Sequence, residues 1–272
     1  MSLLGRPTAA TRALVLRAWP CGETSVIASL LCGELGFVKV VAKGARQPRS
    51  RLRPLVEPGR LVEVEFSLDP TRELQYLRGG GVVLDTLGGR ATLERTAYLL
   101  AALELVDRCR PAASGAGDGA EEALFGVCEE FLGVLSSPTC SDPAVLFFAF
   151  EWRLLDRHGT APQVECCSCC GCGGADLQAG AVWFLPAEGG IVCGSCARGG
   201  TAAGARPVGP EALALVRRVA TGKLAGVAAG AAEPSLRREA GTLLHRFLGY
   251  HLPGYRLPAA LDLLRTGKDR RG

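Results

Sequence analysis

The sequence predicts an α+β chain: a small closed barrel of five strands, then a helical region interrupted by a cysteine-rich ribbon module. Three observations predict it. Residues 1–85 hold short apolar runs, several of them alternating, separated by turn residues. Residues 91–160 and 209–252 switch to helical spacing. Residues 163–200 contain seven of the twelve cysteines. The expected domains are therefore 1–85 and 86–272, with the cysteine module at 163–200.

The barrel strands follow in order. TRALVLRAW (11–19) alternates, with Leu14 and Leu16 on one side and Val15, Arg17 and Trp19 on the other. SVIASLLC (25–32) and GFVKVVAK (36–43) are separated by a CGELG turn. RLVEVEFS (60–67) places Val62, Val64 and Phe66 inward and Glu63 and Glu65 outward. LQYLRGGGVVLD (74–85) carries three glycines inside a strand pattern, which predicts a bulge or bend. Strands this short, at this spacing, suit a small barrel.

The helices come next. In TLERTAYLLAALELVDRC, apolar residues recur at Tyr98, Leu99, Ala102, Leu103 and Val106. PAASGAGDGA (111–120) reads as a flexible connector before the helix EEALFGVCEEFLGVL. DPAVLFFAFEWRLLDRHG starts on Asp142 as N-cap with Pro143 at the first helical position. It is apolar almost all round, so it is expected at the centre of the domain. GPEALALVRRVATG and PSLRREAGTLLHRFLGYHL complete the set, and a basic tail, LLRTGKDRRG, ends the chain.

Composition bounds the partners. Across 272 residues the hydrophobic fraction is 48%, which supports a packed core, and the net charge is only +4. No stretch reaches the roughly 18 apolar residues of a membrane span, and residues 1–20 lack a signal-peptide pattern. A cytoplasmic protein is expected, where thiols stay reduced and clustered cysteines favour metal over disulfides.

The cysteine pattern points to zinc. Residues 166–174 read CCSCCGCGG and residues 193–196 read CGSC, joined by AVWFLPAEGGIVC, a hairpin pattern. Two Cys-x-x-Cys turns brought together by a hairpin supply four sulfurs to a tetrahedral ion: a zinc-ribbon-like four-cysteine module. The register of the first turn is open, since Cys166–Cys169 and Cys169–Cys172 have the same spacing. Cys167 and Cys170 are favoured with Cys193 and Cys196, because Gly171 follows directly and lets backbone N–H groups approach the sulfurs. The same ligands could hold an iron–sulfur cluster. A closed four-sulfur site leaves no position for water, so its role is structural.

Charge concentrates in residues 39–60, KVVAKGARQPRSRLRPLVEPGR, with seven basic residues against one acid, Glu57. Lys39 and Lys43 share a strand face, and Arg46, Arg49 and Arg51 follow in a Gly/Pro/Ser-rich loop. Such a stretch suits a nucleic-acid backbone, and arginine adds stacking on bases. A solvated charged face is the bland alternative. Only Phe37 and Trp19 are expected near this surface, which makes binding mainly electrostatic. No nucleophile elbow, Walker loop or H-E-x-x-H motif is present, and His158, His245 and His251 are scattered, so no enzyme is predicted.

These residues resemble a known family. Gly36 to Leu52 reads G-x-x-x-x-V-A-K-G-A-R-x-x-x-S-x-L, Pro162 to Gly171 reads P-x-V-x-x-C-x-x-C-G, and Gly189 to Cys196 reads G-G-x-x-C-x-x-C. The order and motifs resemble the bacterial RecO family over nearly the whole chain. The resemblance implies a five-stranded OB-fold barrel, an α-helical domain carrying the zinc module, and no catalysis. It also implies binding of single- and double-stranded DNA, annealing of complementary strands, and loading of RecA with RecR, and often RecF, onto strands coated by single-strand binding protein. Carried over, the DNA-contact residues are Lys39, Lys43, Arg46, Arg49 and Arg51, and the proline-to-cysteine spacing selects Cys167 and Cys170. The chain departs from the family in its extra cysteines and in Cys21-Gly22, which stands where a tyrosine is common. A second DNA surface, needed for annealing, is sought at Arg217/Arg218, Arg237/Arg238 and the tail. The rival readings are a zinc-ribbon scaffold that binds RNA or protein without annealing, and a metal-dependent hydrolase, which the closed ligand set disfavours.

Overall fold

The computed structural model describes residues 8–69, 71–110, 119–174, 177, 180–201, 204–252 and 254–264. Most of the connector at 111–120 and the basic end of the tail lie outside the described residues. The chain forms two compact units, Met1–Ser137 with Pro258–Gly272, and Pro138–Leu257. The helices of residues 93–136 thus belong to the same unit as the barrel.

The first unit is built on a closed barrel in the order β1-β2-β3-β5-β4. Its strands are β1 (Thr8–Cys21), β2 (Ser25–Cys32), β3 (Gly36–Ala42), β4 (Arg60–Ser67) and β5 (Leu74–Asp85). All neighbours are antiparallel except β3 and β5, whose parallel pairing closes the cylinder. This is the five-stranded OB-type barrel expected. Ala13, Val15, Ala28, Leu30, Val40, Val62, Val64 and Phe66 fill its interior.

Strict alternation in β1 fails. A register shift falls between Val15 and Arg17, and Ala13, Leu14, Val15 and Leu16 are all buried. The bulge sends Arg17 and Trp19 outward, while Leu14 and Leu16 stay buried outside the interior cluster. That outer wall packs against α1 (Leu93–Arg108) and α2 (Ala120–Ser136). In β5 the glycine run does produce bulges: the register shifts where Phe66 meets Leu77 and Glu65 meets Gly79. Gly80, with φ +142°, crosses β4 so closely that a Cβ would sit 2.0 Å from the Glu63 carbonyl oxygen. Only glycine fits there.

The second unit centres on α3 (Pro143–Arg157), nearly every residue of which is buried. Asp142 caps it, accepting from the Val145 N–H at 3.1 Å. The same buried carboxylate accepts from the Ala232 N–H at 2.9 Å and meets Arg237 at 3.5 Å. Around α3 pack α4 (Pro210–Thr221), α5 (Leu224–Ala228) and α6 (Pro234–His251). The hairpin expected between the cysteine turns is β6 (Val182–Leu185) with β7 (Gly190–Cys193), antiparallel with Val182 opposite Cys193. A further strand, β8 (Arg206–Val208), joins β6 at the sheet edge. Pro207 hides it in the sequence and confines it to an edge. Among the described residues, no helix is long and apolar enough to cross a membrane.

Candidate nucleic-acid interface and candidate metal centre

The first site is the outer face of the barrel. Strand register lines up Trp19, Ile27, Val41 and Tyr76 across β1, β2, β3 and β5. Four strands at about 4.8 Å spacing make this row roughly 14 Å long. The next row holds Arg17, Ser29, Lys39 and Leu74. Lys43, one residue past β3, sits over the Tyr76 ring, 4.9 Å from its centroid. Tyr76 therefore corrects the sequence expectation that Trp19 and Phe37 are the aromatics of this face. Parallel pairing of β3 with a strand over thirty residues away brings it there, and no local pattern announces that.

Arg110 is a second residue missed. Its guanidinium lies 4.6 Å from the Phe37 ring centroid and donates to the Ser29 hydroxyl at 2.6 Å and to Asp107 at 3.1 Å. Two acids temper the face. Asp107 also pairs with Arg17 at 3.3 Å. Lys39 donates to Glu73, which holds the Glu73 carboxyl below its ordinary range.

The basic loop is anchored to the barrel. Ala45, Leu55 and Val56 enter the barrel core, and Leu52 packs against it. The Arg46 N–H bonds the Thr24 carbonyl at 2.9 Å, and its side chain donates to Gly22 O at 3.2 Å. A short 3-10 turn, Arg53–Val56, closes the loop. Apolar residues point in, so Arg46, Arg49, Arg51 and Arg53 are left exposed. Lys43, Arg46 and the β1–β2 turn thereby share one end of the barrel. Of the second-surface candidates, Arg217 donates to Val164 O at 2.8 Å and Arg237 is held by Asp142, while Arg218 and Arg238 are exposed.

The second site is the cysteine cluster. Residues 163–168 run beside β7: Ile191 donates to Gln163 O at 2.9 Å and Ser168 donates to Ile191 O at 2.8 Å. This places the first cysteine turn against the second. The Cys193 N–H points at the Cys167 sulfur, 3.3 Å away, and the Cys170 and Cys193 sulfurs are 3.8 Å apart. Gly171 has φ +73°, as the small residue after the turn requires.

Cys167, Cys170, Cys172 and Cys193 have sulfurs all within 4.8 Å of one another, and Cys196 groups instead with Cys167 and Cys169. So three of the four expected ligands share one group, Cys172 completes it, and Cys196 stands in the second. Four sulfurs 2.3 Å from one ion lie about 3.8 Å apart, so the donor set and spacing fit zinc. Burial opposes ionisation of Cys167, but N–H groups of Cys193, Cys170 and Cys169 outweigh it and bring the thiol down to about 6. Contact with Cys170 pushes Cys172 up to about 12. Crowded sulfurs hold their protons unequally in this way until a cation neutralises them.

The sequence also hid Glu151. It is 1% exposed on α3, with Oε2 3.4 Å from His245 Nε2. Burial raises its pKa, and His245 and Tyr255 only partly oppose that.

Comparison with known proteins settles the family. The model "Recombination protein O N terminal" matches residues 7–84, and "Recombination protein O C terminal" matches residues 90–260. The chain belongs to the RecO family. A relative from Anaeromyxobacter sp. (strain Fw109-5) named DNA repair protein RecO is 35% identical over 254 residues, 93% of this chain and 94% of the relative. One from Geobacter metallireducens, with the same name, is 35% identical over 247 residues, covering 89% and 91%. The Bacillus subtilis DNA repair protein RecO is 32% identical over 188 residues, 67% of this chain and 66% of its own. The two RecO models between them span both the barrel and the cysteine cluster.

Proposed function

We propose that the chain is a DNA-binding recombination mediator acting in DNA repair. It binds single- and double-stranded DNA, anneals complementary strands, and with RecR and RecF helps load RecA onto strands coated by single-strand binding protein, in the cytoplasm at the nucleoid. The observation that carries this reading is the aromatic and apolar row Trp19–Ile27–Val41–Tyr76 flanked by Arg17, Lys39 and Lys43. An unpaired strand offers bases to the row and phosphates to the rim.

Lys43, Arg46, Arg49 and Arg51 neutralise phosphates at the edge of the face. Lys39 does so only after exchanging Glu73 for phosphate, so it contributes less. Trp19 and Tyr76 give bases a stacking platform that every base can use. No side chain here reads base edges, so binding is indifferent to sequence. The zinc module is structural. Cys167, Cys170 and Cys193 hold the ion with Cys172 or Cys196, and the bound ion cross-links the two turns.

Annealing tests the mediator reading against that of a scaffold without annealing activity. The protein is expected to speed pairing of two complementary oligonucleotides, and Trp19→Ala with Tyr76→Ala is expected to slow it. DNA or RNA binding with no acceleration of pairing would favour the scaffold.

A further inference from the structure

The cluster holds more sulfur than one ion can use. Six cysteines fall into the two groups, and Cys167 belongs to both. A zinc ion takes four ligands. The six sulfurs are nevertheless contiguous through Cys167: it lies within 4.8 Å of Cys170, Cys172 and Cys193 and equally within 4.8 Å of Cys169 and Cys196. Cys167 sits at the junction, 1% exposed, with an N–H directed at its sulfur.

We propose that this cluster binds two soft divalent ions bridged by the Cys167 thiolate. One ion takes Cys167, Cys170, Cys172 and Cys193. The other takes Cys167, Cys169 and Cys196, and keeps one open position. This rests on the reading of the cluster as a metal centre, and it deepens it.

The chemistry is consistent. A thiolate has lone pairs enough for two metal bonds, and the buried Cys167 is the sulfur that both groups share. Each thiol that binds gives its proton to water. Two dications against six thiolates leave the same net charge as one dication against four. The open position belongs to the three-sulfur group of Cys167, Cys169 and Cys196. Two different sites result: a closed one and an exchangeable one.

The test is metal stoichiometry of the reduced, demetallated full chain titrated with Cd²⁺ and with Zn²⁺, read by native mass spectrometry. Saturation at two ions per chain is expected. Cys169→Ser or Cys196→Ser is expected to retain one ion, and Cys166→Ser, outside both groups, to retain two. Saturation at one ion, with Cys169→Ser unchanged and Cys196→Ser losing it, overturns the proposal and leaves a single site. Two ions retained in Cys169→Ser overturns the ligand assignment. No ion bound at all overturns the metal-centre reading itself.

Discussion

The barrel face and the cysteine cluster are built by opposite means. The cluster is made from two turns and the hairpin between them, all within residues 163–196. The barrel face is made from one or two residues on each of four strands, with partners as far apart as Trp19 and Tyr76. A local device can be read from spacing. A face set by register can be read only once the register is known. The energetics differ in the same way: on the proposed metal site, sulfur–metal bonds hold the cluster, whereas dispersed packing of a core holds the barrel.

Chelation gives the largest expected effect. Structural zinc contributes about 10–16 kcal/mol in isolated zinc-finger peptides. Removing metal should therefore expose residues 163–200 to protease and leave the barrel, which holds its own core, resistant. Equal cleavage of both regions would break the contrast.

The aromatic row comes next. Trp19→Ala and Tyr76→Ala should each weaken binding to single-stranded DNA by about 1–3 kcal/mol, the usual worth of one base stacked on one ring. Neither change should alter the salt slope, because neither removes a charge. A fluorescence titration measures both quantities. If the slope falls and affinity holds, the row is not a stacking platform.

A smaller effect belongs to Glu151. Its pKa is raised in the fold, so the folded state keeps a proton that the unfolded chain has released. Stability from this group is full below the ordinary carboxylate range, falls as pH rises through it, and levels off above the folded pKa. Glu151→Gln should flatten that fall and raise the melting temperature at neutral pH by a few degrees. A melting curve with unchanged pH dependence would show that Glu151 is not the group responsible.

Much of the molecule is legible in the sequence. The five strands, the Asp142 cap and the ribbon hairpin follow from alternation, capping chemistry and turn residues. Tyr76 is not legible, because the β3–β5 pairing that carries it to Val41 is parallel and remote. Nor is the Val15 bulge, since apolar residues on both sides of a bulge look like ordinary alternation. The anchoring of the arginine loop is not legible either, because its anchors, Ala45, Leu52 and Leu55, are few and scattered among charges. Cys-x-x-Cys spacing favours Cys196 over Cys172, and spacing does not say how six neighbouring sulfurs divide.

On the proposed function, DNA binds at the barrel face and its anchored loop. The most direct test is binding of single-stranded DNA across a salt series by the wild type and by Lys43→Ala/Arg46→Ala/Arg49→Ala. Each lost phosphate contact should flatten the log–log slope by about 0.7, so the triple variant should bind more weakly with a slope lower by roughly 2. Wild-type affinity and slope in a variant that keeps its fold and its metal would contradict the account, and would move the DNA to another surface.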